Sequence, residues 1–167
     1  MPFTTEKNIM NLQNRTNEQL MTMLHNVINH SDKARANTRK IQLFSVWELR
    51  NKEFCSGKSI ETISGDGVLS AFRYRVGDGG ITKASKRHMI LDHIIEAPIP
   101  PVVDRQYTLK WGQPNSPKRK RRLIRTLKGL VSGVAKRTAY NQNSLSRATS
   151  HWLEDIAYLE KSSLTIN

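Results

Sequence analysis

Nine lysines and arginines and no acidic residue lie between positions 116 and 137 (SPKRKRRLIRTLKGLVSGVAKR), a segment that holds most of the chain's formal excess of +13. Long cations in that density can displace the counterions condensed on a polyphosphate. The chemistry they suggest is therefore anion binding whose affinity falls steeply with salt. On a helical wheel at about 100° per residue, Leu123, Leu127, Leu130, Val131 and Val134 share one arc. Lys118, Arg121, Arg122, Arg125, Lys128 and Lys136 gather on the opposite one. With Arg119, these cations are the expected phosphate-binding set. An ordinary solvated face would carry acids among its bases, and this one carries none. A membrane-surface or nuclear-targeting role fits less well, because the apolar arc looks committed to a core and holds no large aromatic residue.

A second cationic group, Lys83, Lys86 and Arg87, opens an expected helix that follows a shorter one over 68–75 across the Gly77–Gly80 turn. That order reads as helix, turn, helix, with the three cations where a DNA groove would be read. Arg73 and Arg75 either add phosphate contacts or pair with Asp78, Asp92 or Glu96. Tyr74 and Trp111 are base-stacking candidates, although aromatic side chains are more often buried anchors.

Other residues with reactive side chains form weaker patterns. His88, Asp92 and His93 invite a metal-dependent nuclease reading, in which a histidine activates water beside a cation. The Asn or His that would complete such a site does not follow at a recognisable spacing. His25, His30 and His151 complete no zinc signature. Gly57-Lys58-Ser59 is the end of a phosphate loop without its beginning, and Gly77-Asp78-Gly79-Gly80 lacks the strand and helix context of a dinucleotide site. Cys55, the single cysteine, reads as a packed or boundary thiol. No catalytic residue, metal or cofactor is expected.

The elements that must position these groups are helical. Leu20, Met23, Leu24, Val27 and Ile28 recur at three- and four-residue spacing within an expected helix over 5–30. Ser31-Asp32 then supplies cap chemistry for a helix from about 33 to 54 carrying Ile41, Phe44 and Trp47. Glycine-rich breaks around 55–67 suggest a seam, which divides the chain into an N-terminal helical hairpin, 1–55, and a basic helical module, 56–167. Thr82 is expected to cap a helix through Ala97. Pro98, Pro100 and Pro101 enforce an extended crossover, and a short helix follows from Asp104 to Trp111. Ser116-Pro117 is an N-cap with proline at the first helical position, where the basic helix starts. The last helix, from about Ser144 to Lys161, carries Leu145, Ala148, Trp152, Ile156 and Leu159 on its core stripe.

Composition sets the outer bounds. A chain of 167 residues with 37% hydrophobic residues can bury a core without disulfide or metal staples. No apolar run approaches the roughly 20 residues that span a bilayer, and the N-terminus lacks the pattern of a secretory leader. A soluble, cytoplasmic protein without a membrane partner is expected.

From 67 to 160 the chain resembles a small bacterial helical module seen in uncharacterised proteins, alone or at the C-terminal end of longer chains. The residues that carry the resemblance are Tyr74-Arg75-Val76-Gly77, Gly80-Ile81, Arg87, Ile90-Leu91, Pro98 and Pro100, Trp111-Gly112, the basic helix, Trp152, Asp155-Ile156 and Leu159. Phe72 departs from the small residues usual before Tyr74. The resemblance implies a compact helical unit with Trp111 and Trp152 packed in its core, and it implies no catalytic motif.

Together these readings predict an all-α protein with an N-terminal hairpin and a C-terminal antiparallel helix pair. The expected function is noncatalytic DNA binding by an accessory or regulatory protein, with RNA not distinguished by charge alone. The alternatives are an adaptor whose N-terminal helices dock a larger enzyme or a second copy of the chain, and the metal-dependent nuclease.

Overall fold

The computed structural model describes residues 9–136 and 142–162. A helical turn over 9–13 precedes seven helices: α1 (Asn17–Val27), α2 (Lys33–Ser56), α3 (Val68–Ala71), α4 (Ala84–Glu96), α5 (Arg105–Leu109), α6 (Pro117–Ala135) and α7 (Gln142–Lys161). The fold is all-α, 67% helical, with no strand among the described residues. Packing divides the chain into two compact units, one of residues 1–73 and 97–110, the other of residues 74–96 and 111–167.

In the first unit, local cap chemistry sets where the helices begin. Thr16 and Gln19 bond reciprocally across the first turn of α1, satisfying two amides that the helix itself leaves unpaired. Asp32 accepts from the Arg35 amide to start α2. Gly57 ends it in the left-handed conformation, φ 111°, where a side chain would be strained. The two helices pack together, and Leu20, Met21 and Leu24 on α1 and Leu43, Val46 and Trp47 on α2 are buried. Arg50, near the end of α2, donates to Asn17 Oδ1 and to the carbonyls of Gln13 and Arg15 beside the start of α1.

The buried stripe of α2 differs from the expected one. Ile41 is 57% exposed and Phe44 half-buried, while Ala36, Leu43, Trp47 and Phe54 face inward. Those four are separated by seven, four and seven residues, a helical spacing that forms a narrower seam than a full apolar face. The breaks around 55–67 lie inside the first unit, because the 97–110 segment returns to it. The Ile63 amide donates to Pro101 O, Asn51 Nδ2 donates to Ile99 O, and the Val68 amide donates to the Tyr107 hydroxyl. The helix expected over 68–75 lasts one turn: Arg73 adopts φ 58° and turns the chain away.

The second unit is built from α4, α6 and α7, with α7 packed against both of the others. Its core contains Ile90, Leu91, Ile94, Trp111, Leu123, Leu127, Ile156 and Leu159. The start of α6 is the expected one: the Ser116 hydroxyl accepts from the Arg119 amide, and Pro117 follows. Lys120, in its first turn, donates to Ser162 O past the end of α7. Trp152 is only half-buried, whereas Trp111 is fully enclosed.

Candidate nucleic-acid interface

Helix α6 sorts its cations by azimuth. Lys118, Arg121, Arg125, Lys128 and Lys136 are exposed. Lys118, Arg121, Arg125 and Lys136 fall within about 60° of one another on the wheel and span about 27 Å along the axis. Lys128 lies at the margin of this edge and pairs with Glu160 at 2.8 Å. Arg122 is half-buried, its guanidinium 5.5 Å from the Trp111 ring centroid, so it buttresses the edge more than it presents charge. Gly129 is exposed and Gly133 half-buried; a Cβ on either would meet nothing within 4 Å. The helix backbone therefore lies bare beside the cations. Arg137 lies outside the described residues.

Two expected contact residues are removed from the surface. Arg119 is 1% exposed and spends its guanidinium on three carbonyls, donating to Trp111 O at 3.0 Å, Ile94 O at 2.8 Å and Gly112 O at 2.6 Å. Burial pushes it down to about 10, which still leaves it charged at neutral pH. It fastens the start of α6 to the end of α4 and to the 111–112 turn. Arg87 is 0% exposed and faces inward from α4. The helix-turn-helix expectation fails with it. Its first helix is a single turn assigned to the other compact unit, and one of its three intended reading residues, Arg87, is buried. Lys83 is exposed ahead of α4 and Lys86 half-buried in its first turn, on a different element from the α6 edge.

Arg87 belongs to a buried polar cluster centred on Asp155 of α7. Asp155 Oδ2 accepts from Arg87 Nε at 2.8 Å and from the Tyr74 hydroxyl at 2.5 Å. Arg87 also donates to Ile81 O, Thr82 O and the half-exposed carboxylate of Glu154. His88 Nε2 approaches Asp155 Oδ1 at 3.1 Å without hydrogen-bond alignment. Its ring stacks on Tyr158 at 3.8 Å and 3°, and the Tyr158 hydroxyl donates to Asp92. Burial works to lower the Arg87 guanidinium, but Asp155 and Glu154 more than offset it and the net shift is upward.

Tyr74, Arg87 and Asp155 are thus three members of one sequence pattern that meet at one carboxylate. The sequence reading missed the cluster. Its available signal was an aspartate next to Ile156 on the otherwise apolar stripe of α7, since a buried carboxylate requires a cationic or hydroxyl partner. His88 and Asp92 are drawn into the same arrangement, and His93 is buried. No group of three or more His, Cys, Asp or Glu side chains among the described residues is placed to hold a metal ion.

The phenols of this cluster give a pH prediction. Burial, with the bond to Asp155, pushes Tyr74 far above its ordinary value. Burial and the bond to Asp92 push Tyr158 up to about 12 from 10.0. In the unfolded chain both ionise at the lower value, so the folded state favours the neutral phenols. Their contribution is complete below pH 10 and is lost as pH rises toward and beyond the folded values. Urea unfolding measured from pH 9 to 12 should show stability falling above pH 10, and Tyr158→Phe should fall less over that range than the wild type.

Of the remaining polar candidates, Arg75 is exposed, while others have structural partners. Arg73 donates to Thr22 Oγ1 at 2.7 Å, and Asp78 pairs with Arg147 at 2.6 Å. Tyr74 and Trp111 are buried, which removes both as base-stacking platforms. Burial pushes the half-buried Cys55 thiol up, away from thiolate reactivity. Comparison with known proteins gives no matching family model, no matching curated protein and no matching solved structure.

Proposed function

We propose that this protein is a noncatalytic nucleic-acid-binding protein, with duplex DNA as its first ligand, acting as an accessory or regulatory component through the exposed edge of α6. The observation that carries the reading is the row Lys118, Arg121, Arg125 and Lys136, exposed on one helix face within a segment that contains no acid. Opposed Glu or Asp side chains would neutralise such a face, and among the described residues only Lys128 has one, at the margin. The row contacts phosphates, which set position and affinity, and no base-reading residue is assigned to it. Lys83 and Lys86 remain available as outlying phosphate contacts; Arg87 and Arg119 do not.

Four phosphate contacts imply a slope of log affinity against log salt of about −3.6 on duplex DNA. Fluorescence anisotropy with labelled duplex DNA, single-stranded DNA and duplex RNA over a salt series measures it. A slope between about −3 and −5 with duplex DNA bound most tightly supports the reading. Absence of binding at low salt overturns it, and preference for duplex RNA transfers the edge to that ligand.

A further inference from the structure

An open groove of about 690 Å³ lies between α1 and the first half of α2, in the unit that does not contain the basic helix. Two rows face it. Met23 and Val27 on α1, one turn apart and half-buried, form an apolar floor completed by buried Ala36. Arg35 and Arg39 on α2, also one turn apart, form a cationic wall. We propose that this groove docks an acidic, aliphatic-anchored helical segment of a protein partner, its apolar residues on Met23 and Val27 and its carboxylates on Arg35 and Arg39.

The sequence around the wall is cationic. From Lys33 through Trp47 the chain has four cations and no acid. The one carboxylate at the groove, Asp32, is already occupied by the Arg35 amide as the cap of α2. Among the described residues Arg39 makes a single long contact, with Gln42, 3.4 Å from Nη1 to Oε1, which a carboxylate would readily displace. Guanidinium groups bind carboxylates through two parallel hydrogen bonds, a geometry with direction as well as charge.

The matched spacing of the rows sets the form of the occupant. Floor and wall each repeat once per helical turn, so a helix laid in the groove presents i and i+4 anchors to both. A nucleic acid fits less well. No tryptophan, tyrosine or phenylalanine lines the groove to stack a base, its floor is aliphatic, and Asp32 stands at its mouth. This inference is independent of the α6 reading, since it uses other residues in the other unit.

The test uses the full-length protein and a fluorescein-labelled helical peptide of four turns, roughly 15 residues, with leucines at i and i+4 and glutamates at i and i+4 on the adjoining face. Peptides with both leucines changed to serine, or both glutamates changed to glutamine, test the two rows without altering the protein. Anisotropy should show saturable binding that weakens about tenfold or more with either altered peptide and with Arg35→Gln/Arg39→Gln. Circular dichroism checks that this variant is folded, and its duplex DNA affinity should match the wild type. Absence of binding, equal binding of the serine peptide, or equal binding by the variant overturns the proposal. So does displacement of the peptide by duplex DNA together with DNA affinity lost in Arg35→Gln/Arg39→Gln, which would make the groove a nucleic-acid site.

Discussion

Asp155→Ala should destabilise the protein by about 3–5 kcal/mol, because it removes the carboxylate opposite a guanidinium that has no access to water. Arg87 and Asp155 side chains are both 0% exposed, so water cannot replace the lost carboxylate, and the guanidinium is left with the half-exposed Glu154 as its carboxylate partner. The Tyr74 hydroxyl loses its acceptor in the same step, which adds an unsatisfied buried donor. For a chain of this length the loss corresponds to a fall in Tm of roughly 10–15 °C. Glu154→Gln is the matched control. Its carboxylate also meets Arg87 but is 54% exposed, so its removal should cost less than about 1 kcal/mol. The double variant Arg87→Met/Asp155→Leu should be more stable than Asp155→Ala, since apolar replacement of both partners leaves no buried charge behind. Thermal and urea unfolding of these variants separate a buried anchor from an incidental surface pair.

The cluster matters to the proposed function through its position. It holds α4 to α7, and α7 in turn packs against α6. Arg119 supplies the second tie, from α6 to the carbonyls of Ile94, Trp111 and Gly112. Thus two of the arginines most attractive as DNA contacts in the sequence instead fix the helix that exposes the others.

What could be read in advance follows from the range of each interaction. Ser116 and Pro117 announced the start of α6 because a cap acts within three residues. The segregation of Lys118, Arg121 and Arg125 from Leu123 and Leu127 needed only the helical period. Arg119 was partly legible, since it lies one turn before Leu123 on the same side of the helix. Its carbonyl partners, however, come from as far as 25 residues back. Arg87 was not legible: its carboxylate partner is 68 residues away. The same distance problem hid the return of the 97–110 segment. Without the bonds from Ile63 to Pro101 and from Asn51 to Ile99, glycines at 57, 65 and 67 read as a seam, although they serve as a helix cap and turns inside one unit. On α2, Ile41 and Leu43 are equally apolar, and only the facing helix decides which is buried.

The proposed function rests on the exposed edge of α6, and Lys118→Gln/Arg121→Gln/Arg125→Gln removes most of that edge's charge. These three side chains are exposed and have no carboxylate partner among the described residues, so neutralising them removes phosphate contacts while leaving the core untouched. Arg122 is left in place because it packs on Trp111. Each lost contact lowers the salt slope by about one, so the variant's slope should be shallower by about three, with duplex affinity reduced about 100-fold or more at low salt. A control variant, Lys33→Gln/Lys52→Gln/Lys110→Gln, makes the same change in net charge at exposed positions in the unit that does not contain α6. It should lose only a few-fold and keep most of the slope. Duplex DNA titrations of the three proteins across one salt series are therefore decisive. Affinity and slope should collapse only in the α6 variant; equal losses in both variants, or none in either, would overturn the α6 interface.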